Sequence, residues 1–173
     1  MLDLGTSFIA SVAREPGALA IVDGGTRFTY AEWYRRISAL VAAFETLGLK
    51  QGDHLVTALQ NRWEAATIHW ACQFAGIIIT PVNWRAKFDE IDFFIENAEA
   101  KGIVYEQVSA DAVAQSEQAK RGVRIAVDIP QSKDVAFAAL IEGAAPDAKP
   151  RAGADAWSGM LYTSGTTQHP ERD

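Results

Sequence analysis

Asp53-His-Leu-Val-Thr-Ala-Leu-Gln60, then Asn61-Arg-Trp-Glu64 opening an apolar stretch to Gly76, then Ile77-Ile-Ile-Thr-Pro-Val82, is the stretch that decides the fold. The first run reads as a strand. Asn61-Arg-Trp-Glu64 is a helix-cap signature, a polar side chain set to accept from the N–H groups of a first turn. Apolar residues then occur most of the way round the helix, at Trp63, Ile68, Trp70, Cys72 and Phe74, so more than one side must be covered. Ile77–Val82 is a continuous apolar run, the pattern of a strand buried on both faces of a parallel sheet. Strand, helix and buried strand in succession make a right-handed crossover unit.

The alternation continues downstream. Phe88, Ile91, Phe94, Ile95 and Ala98 recur at helical spacing, Gly102–Tyr105 reads as a strand, and a weaker helix is expected at about 108–120. A strand at Val123–Val127 and a short helix at about 133–142 follow. Upstream, two strand-like runs over 19–29 flank Asp23-Gly24-Gly25, a tight-turn sequence, and predict a hairpin. Thr29-Tyr-Ala-Glu32 is a capping box for a helix carrying Trp33, Ile37, Leu40, Val41, Phe44 and Leu47 up to Gly48. Residues 1–13 read as an amphipathic first helix. The fold class is therefore α/β, a three-layer unit with a mostly parallel sheet and helices on both faces. Residues 1–142 form the α/β subdomain, 143–155 read as a surface linker, and 156–173 as one more strand, 156–162, running into a loop.

Composition bounds what the chain does. It has 173 residues, 49% hydrophobic and 22% charged, which suits a globular domain with one sizeable core. A formal net charge of -6 with no basic run argues against a nucleic-acid groove or a polybasic membrane patch. No apolar run approaches the length of a membrane span, and Asp3 falls where a signal peptide would carry positive charge, so a soluble cytoplasmic protein is expected. Cys72 is the single cysteine, which excludes an intrachain disulfide, and its apolar neighbours make it a small core residue.

Chemistry concentrates in Thr163-Ser164-Gly165-Thr166-Thr167, four hydroxyls around a glycine directly after a strand. Open α/β sheets bind ligands outside the carboxyl ends of their strands, and hydroxyls with backbone N–H groups wrap phosphate oxygens. A phosphate loop and a solvated Ser/Thr turn are both open on these residues alone. A Walker A loop is excluded, because no Gly-x-x-x-x-Gly-Lys spacing occurs.

Gly159-Met-Leu-Tyr-Thr-Ser-Gly-Thr-Thr167 followed by Pro170 resembles the phosphate-binding signature of the AMP-forming adenylating enzymes, the superfamily of acyl-CoA synthetases, luciferases and nonribosomal peptide adenylation domains. Arg27-Phe-Thr-Tyr-Ala-Glu32, Leu47-Gly-Leu-Lys-Gln-Gly-Asp53, Leu59-Gln-Asn61, Ala75-Gly76 and Pro81-Val-Asn-Trp-Arg85 match that family's N-terminal portion at similar spacing, so nearly the whole chain is covered. The resemblance implies a two-step ligase. A small-molecule carboxylate attacks the α-phosphate of Mg-ATP, giving an acyl adenylate and pyrophosphate, and coenzyme A then takes the acyl group. It implies ATP, Mg2+ and coenzyme A as cofactors, with Thr163, Ser164, Gly165, Thr166 and Thr167 holding the β- and γ-phosphates.

The family pattern continues Thr-Gly-x-Pro-Lys-Gly, whereas this chain reads Thr167-Gln168-His169-Pro170-Glu171-Arg172. An anion, Glu171, stands where the family has a cation facing the phosphates, which turns attraction into repulsion. The sequence also stops short of the family's adenine-binding segment, ribose-binding aspartate, hinge and C-terminal lid. The expectation is an N-terminal fragment, inactive alone and without catalytic residues of its own; the alternatives are a non-catalytic interaction module or a frameshifted remnant. Codons GAA AGG GAC for Glu171–Asp173 would read Lys-Gly-Thr after loss of one G, which restores Pro-Lys-Gly. On that hypothesis the tail beyond Pro170 is disordered and the 156–162 strand has no downstream partner.

The remaining candidates have bland explanations. His54, His69 and His169 are scattered, with no metal-ligand spacing. Asp89, Glu90 and Asp92 fall at the start of a predicted helix, where negative charge is favoured. Trp33, Trp63 and Trp70 lie on helices with core periodicity, while Trp84-Arg85 after a strand is a candidate for the rim of a ligand pocket. An exposed apolar patch is expected on the isolated chain, and with it self-association.

Overall fold

The computed structural model describes residues 3–163 and the backbone of residues 171–172. α1 (Leu4–Arg14) starts where Asp3 accepts the Thr6 N–H at 2.7 Å. β1 (Leu19–Asp23) and β2 (Thr26–Thr29) form the expected antiparallel hairpin, with Asp23 opposite Thr26 and Gly24 supplying a φ of 56° in the turn. α2 (Tyr30–Thr46) follows without a linker. Thr29 Oγ1 accepts the Glu32 N–H at 3.2 Å and Glu32 Oε2 accepts the Thr29 N–H at 2.8 Å, the capping box legible in the sequence.

The central sheet has five strands, all parallel: β3 (His54–Ala58), β4 (Ile78–Pro81), β5 (Gly102–Glu106), β6 (Val123–Val127) and β7 (Val135–Ala136). Their order across the sheet is β4-β3-β5-β6-β7. α3 (Trp63–Ala75) joins β3 to β4, and α4 (Phe88–Ala98) joins β4 to β5. Side chains alternate across the sheet with the period of two that an extended chain imposes. Leu55, Val104, Ile125 and Val127 pack under α2 and α3, where Phe44, Phe74, Ile37 and Leu40 are fully buried. Val56, Ala58, Ile103, Tyr105 and Ala126 face the other way, onto Ile91, Phe94 and Ile95 of α4. Each fully buried aliphatic or aromatic side chain contributes about 1.5–3 kcal/mol, which makes these two layers the main stabilising term.

The structure departs from sequence expectation at several places, each for a local reason. The residue before α3 is Arg62 rather than Asn61 and its side chain makes no capping bond; the acceptor for the Trp63 N–H is Asp23 Oδ2 at 2.9 Å, delivered by the hairpin. The helix expected at about 108–120 is a 3-10 turn, a six-residue α5 (Ala110–Gln115) and a second 3-10 turn. It breaks at Ser116, whose hydroxyl donates to Asp92 Oδ1 at 2.6 Å while the Gln118 N–H donates to the same oxygen at 2.9 Å. The short helix at about 133–142 divides into β7 and α6 (Phe137–Leu140).

Residues 143–155 contain no helix or strand, yet Ala148 is buried and held by α2. In place of a strand over 156–162, Gly159 makes one parallel bridge to Ile79, and only β8 (Tyr162–Thr163) is extended. Trp157 and Leu161 are exposed there, at 77% and 58%, so nothing buries a longer strand. The described backbone of Glu171–Arg172 departs from the expectation of a tail without a partner for the preceding segment. β9 (Glu171–Arg172) pairs antiparallel with β8, with Tyr162 opposite Arg172 and Thr163 opposite Glu171.

Candidate functional site

β3 leads through α3 to β4 on one side, and the chain then crosses over to β5 on the other side of β3. A sheet of this order opens a crevice beyond the carboxyl ends of β3 and β5, where ligands of open α/β sheets are found. In this chain the crevice is an open cavity of about 490 Å³, lined by charged side chains bonded to one another. Arg62 forks onto Glu64, with Nε to Oε2 at 2.7 Å and Nη2 to Oε1 at 2.8 Å, and Nη1 donates to Glu106 Oε2 at 3.1 Å. Nη2 also reaches Asp128 Oδ2 at 3.4 Å. The Gln60 N–H donates to Glu106 Oε1 and its side-chain amide to Glu106 Oε2. Glu64 and Glu106 are only 6% and 4% exposed. Hydrogen bonds and Coulomb attraction from Glu64, then Glu106, hold the Arg62 guanidinium charge even more firmly than usual. The cluster ties the ends of β3, β5 and β6 together.

The other end of the carboxyl edge is built differently. The Met160 N–H donates to the Ile79 carbonyl at 2.9 Å and the Ile79 N–H to the Ser158 carbonyl at 3.3 Å, laying Ser158–Met160 along β4 in parallel. Tyr162 packs on Phe94 with ring centres 4.7 Å apart and ring planes tilted by 49°, and it donates to Asn97 Oδ1 at 2.9 Å. Because the pairing is parallel, the chain runs toward the end where β4 stops at Pro81, and Thr163 is exposed there. On the loop leaving β4, the Arg85 guanidinium lies 4.4 Å over the Trp84 ring and the Arg85 N–H donates to Asn83 Oδ1 at 2.9 Å. Thr163 is thus placed; Ser164, Gly165, Thr166 and Thr167 lie outside the described residues, as does His169.

The structure gives the other candidates the following surroundings. Glu90 accepts the Lys87 N–H at 2.8 Å at the start of α4, and Asp92 anchors the 116–118 turn. His54 Nδ1 lies 3.2 Å from Thr80 Oγ1, and burial pulls the His69 pKa down beside Trp70. Burial pushes the Cys72 thiol well up, which makes it inert. Among the described residues no group of three His, Cys, Asp or Glu is arranged to hold a metal, and no helix is long and apolar enough to cross a membrane. Sequence reasoning missed the Arg62 cluster. Its signal was Gln60-Asn-Arg62 after one strand, with a lone acid at or just after the end of two others, Glu106 and Asp128.

The sequence pattern of the AMP-binding enzymes matches residues 8–170, from α1 to beyond Thr163. The chain belongs to the AMP-binding enzyme family. Among its relatives in that family, a feruloyl-CoA synthase of Amycolatopsis sp is 29% identical over 111 residues, covering 64% of this chain and 23% of the relative. A medium/long-chain-fatty-acid–CoA/3-oxocholest-4-en-26-oate–CoA ligase of Mycolicibacterium smegmatis is 25% identical over 166 residues, covering 90% of this chain and 30% of the relative. The chain therefore spans less than a third of these curated relatives. A fatty acyl CoA synthetase of Mycobacterium tuberculosis superposes with a TM-score of 0.84 at 22% identity, over 98% of this chain and 34% of that one. A benzoate CoA ligase from Burkholderia xenovorans gives 0.83 at 19% identity, over 94% and 33%. These likenesses establish the AMP-binding fold for residues on both sides of the sheet.

Proposed function

We propose that this chain is the N-terminal part of a cytoplasmic AMP-forming acyl-CoA ligase, which converts a carboxylate, ATP and coenzyme A to acyl-CoA, AMP and pyrophosphate. Residues 1–142 act as its scaffold, 143–155 connect, and 156–173 deliver the phosphate-binding segment. The observation that carries this is the parallel bridge from Gly159 to Ile79, which brings Thr163 out at the carboxyl edge of the sheet. An exposed hydroxyl at that edge suits a phosphate oxygen, and Thr163 to Thr167 are the residues that would hold the β- and γ-phosphates. Bound Mg-ATP supplies the activated phosphorus. The chain's own contribution is to place hydroxyls and backbone N–H groups around the anion, which is most of what phosphate chemistry asks of a protein. Alone, the chain is inactive.

Titrating Mg-ATP into isotopically labelled protein tests the site by amide shift mapping. Shifts should cluster at Thr163 and the neighbouring residues Asn83–Arg85. Shifts confined to Asn61–Glu64, Glu106 and Asp128 would place the ligand in the β3/β5 crevice and contradict the assignment.

A further inference from the structure

The segment after α6 is irregular, yet its middle is gripped from both sides. The Ala148 N–H donates to Ser38 Oγ at 2.9 Å, and the Ala148 carbonyl accepts from the Tyr34 hydroxyl. Ser38 and Ala148 are buried, at 2% and 6% exposure. Tyr34 and Ser38 are one helical turn apart on α2, so two neighbouring side chains satisfy the donor and acceptor that a partner strand would otherwise satisfy. Two residues on, Pro150 closes over α1: a Cβ at Gly5 would lie 2.8 Å from Pro150 Cγ. The Arg151 N–H donates to the Phe74 carbonyl at 2.9 Å, and its guanidinium pairs with Glu45 at 3.1 Å. Three helices therefore build a seat for Ala148–Arg151.

What lies downstream needs such a reference point. Gly159-Met-Leu-Tyr162 meets β4 through a single parallel bridge, and both Met160 and Leu161 are apolar. A one-residue slip in an extended chain exchanges the two faces. Here it would bury Leu161, now 58% exposed, in place of Met160, now 8% exposed, so these two residues alone do not choose a register, and the choice falls to the contacts of Tyr162 with Phe94 and Asn97 and to where the upstream chain is held. Between the seat and the bridge, the Gln73 side-chain amide donates to the Ser158 carbonyl at 3.3 Å.

We propose that Tyr34 and Ser38 are positioning residues for the phosphate-binding segment: by seating Ala148 they fix the register at which Gly159 meets Ile79, and so where Thr163 leaves the sheet. The phosphate half of this statement rests on the function proposed above, whereas the register half stands on the geometry alone. Tyr34→Phe keeps the ring against Phe8 and Phe74 and removes only the hydroxyl, and Ser38→Ala removes only the acceptor.

Hydrogen–deuterium exchange on the intact chain separates the outcomes. In the Tyr34→Phe/Ser38→Ala variant the amides of residues 158–163, Met160 above all, should exchange about tenfold faster while β3, β5 and β6 keep their protection. Faster exchange confined to 147–149 would overturn the proposal, and so would a uniform loss across the sheet, which marks a core role only. The two single variants give the same readout if the double variant does not fold. Inorganic tripolyphosphate, followed by the Thr163 amide shift, tests the other half: its affinity should fall at least severalfold in the variant. Exchange coupling without any tripolyphosphate shift in the wild-type chain would overturn the phosphate assignment and leave the register claim standing.

Discussion

Arg62 pairs with two carboxylates that are almost wholly removed from water, Glu64 and Glu106, one cation shared between two anions, while a fifth of its own side chain remains exposed. Removing a buried ion's partner costs more than forming the pair returns, because the remaining charge keeps its desolvation penalty. Arg62→Ala should therefore destabilise the chain by about 3 kcal/mol in urea unfolding, the lower end for a buried pair because Gln60 still donates to Glu106. Arg62→Lys should recover only part, since an ammonium cannot fork onto Glu64 and reach Glu106 together. The helix starts respond to acid instead. Backbone and side-chain hydrogen bonds from Thr6 hold the Asp3 carboxyl below its ordinary range, and those from Thr29 do the same for Glu32. A carboxyl with a depressed folded-state pKa stabilises the fold above its unfolded pKa and loses that contribution as pH falls through the folded value. The melting temperature should drop toward about pH 3, and Glu32→Gln should flatten part of that drop. An unchanged acid profile in Glu32→Gln would show that the capping box contributes nothing.

At the scale of elements, contacts close along the chain were readable and contacts between distant segments were not. The hairpin turn at Gly24 and the box between Thr29 and Glu32 are encoded within a few residues, and the apolar periods of α2 and of the 77–82 strand carry their own geometry. The cap of α3 was misread because its acceptor, Asp23, comes from the hairpin, 40 positions away. The break at Ser116 depends on Asp92 of α4, and the seat at Ala148 on a hydroxyl 110 positions upstream. β7 is two residues long, too short to show any alternation. Close packing of β5 on β6 was equally invisible. A Cβ at Gly102 would lie 2.7 Å from the Val123 carbonyl oxygen and 3.1 Å from its Cβ, both rigidly held by the neighbouring strand. Gly102→Ala should cost about 2 kcal/mol by overpacking, whereas Gly143→Ala, which meets nothing within 4 Å, should be near neutral. Paired urea melts of the two variants check the contrast.

Across the whole molecule, a parallel sheet between two helical layers ends on a carboxyl edge with two unlike halves. The β3/β5 half is tied together by Arg62, and the β4 half receives Thr163 from a strand registered by the seat on α2. Of the hydroxyl-rich segment expected to hold phosphate, Thr163 is exposed beyond the bridge to β4, and Ser164, Gly165, Thr166 and Thr167 lie outside the described residues. The Arg62 cluster that lines the alternative crevice could not be read, because its members come from the ends of three strands. On the proposed function this chain is a scaffold with the start of a phosphate site, inactive alone, and Glu171 stands where the family it resembles carries a lysine. ATP–pyrophosphate isotope exchange by the purified chain, over a panel of aromatic and aliphatic carboxylates, tests that claim most directly. The predicted result is no exchange above a protein-free control, for the chain itself and for Glu171→Lys; carboxylate-dependent exchange by either would contradict it.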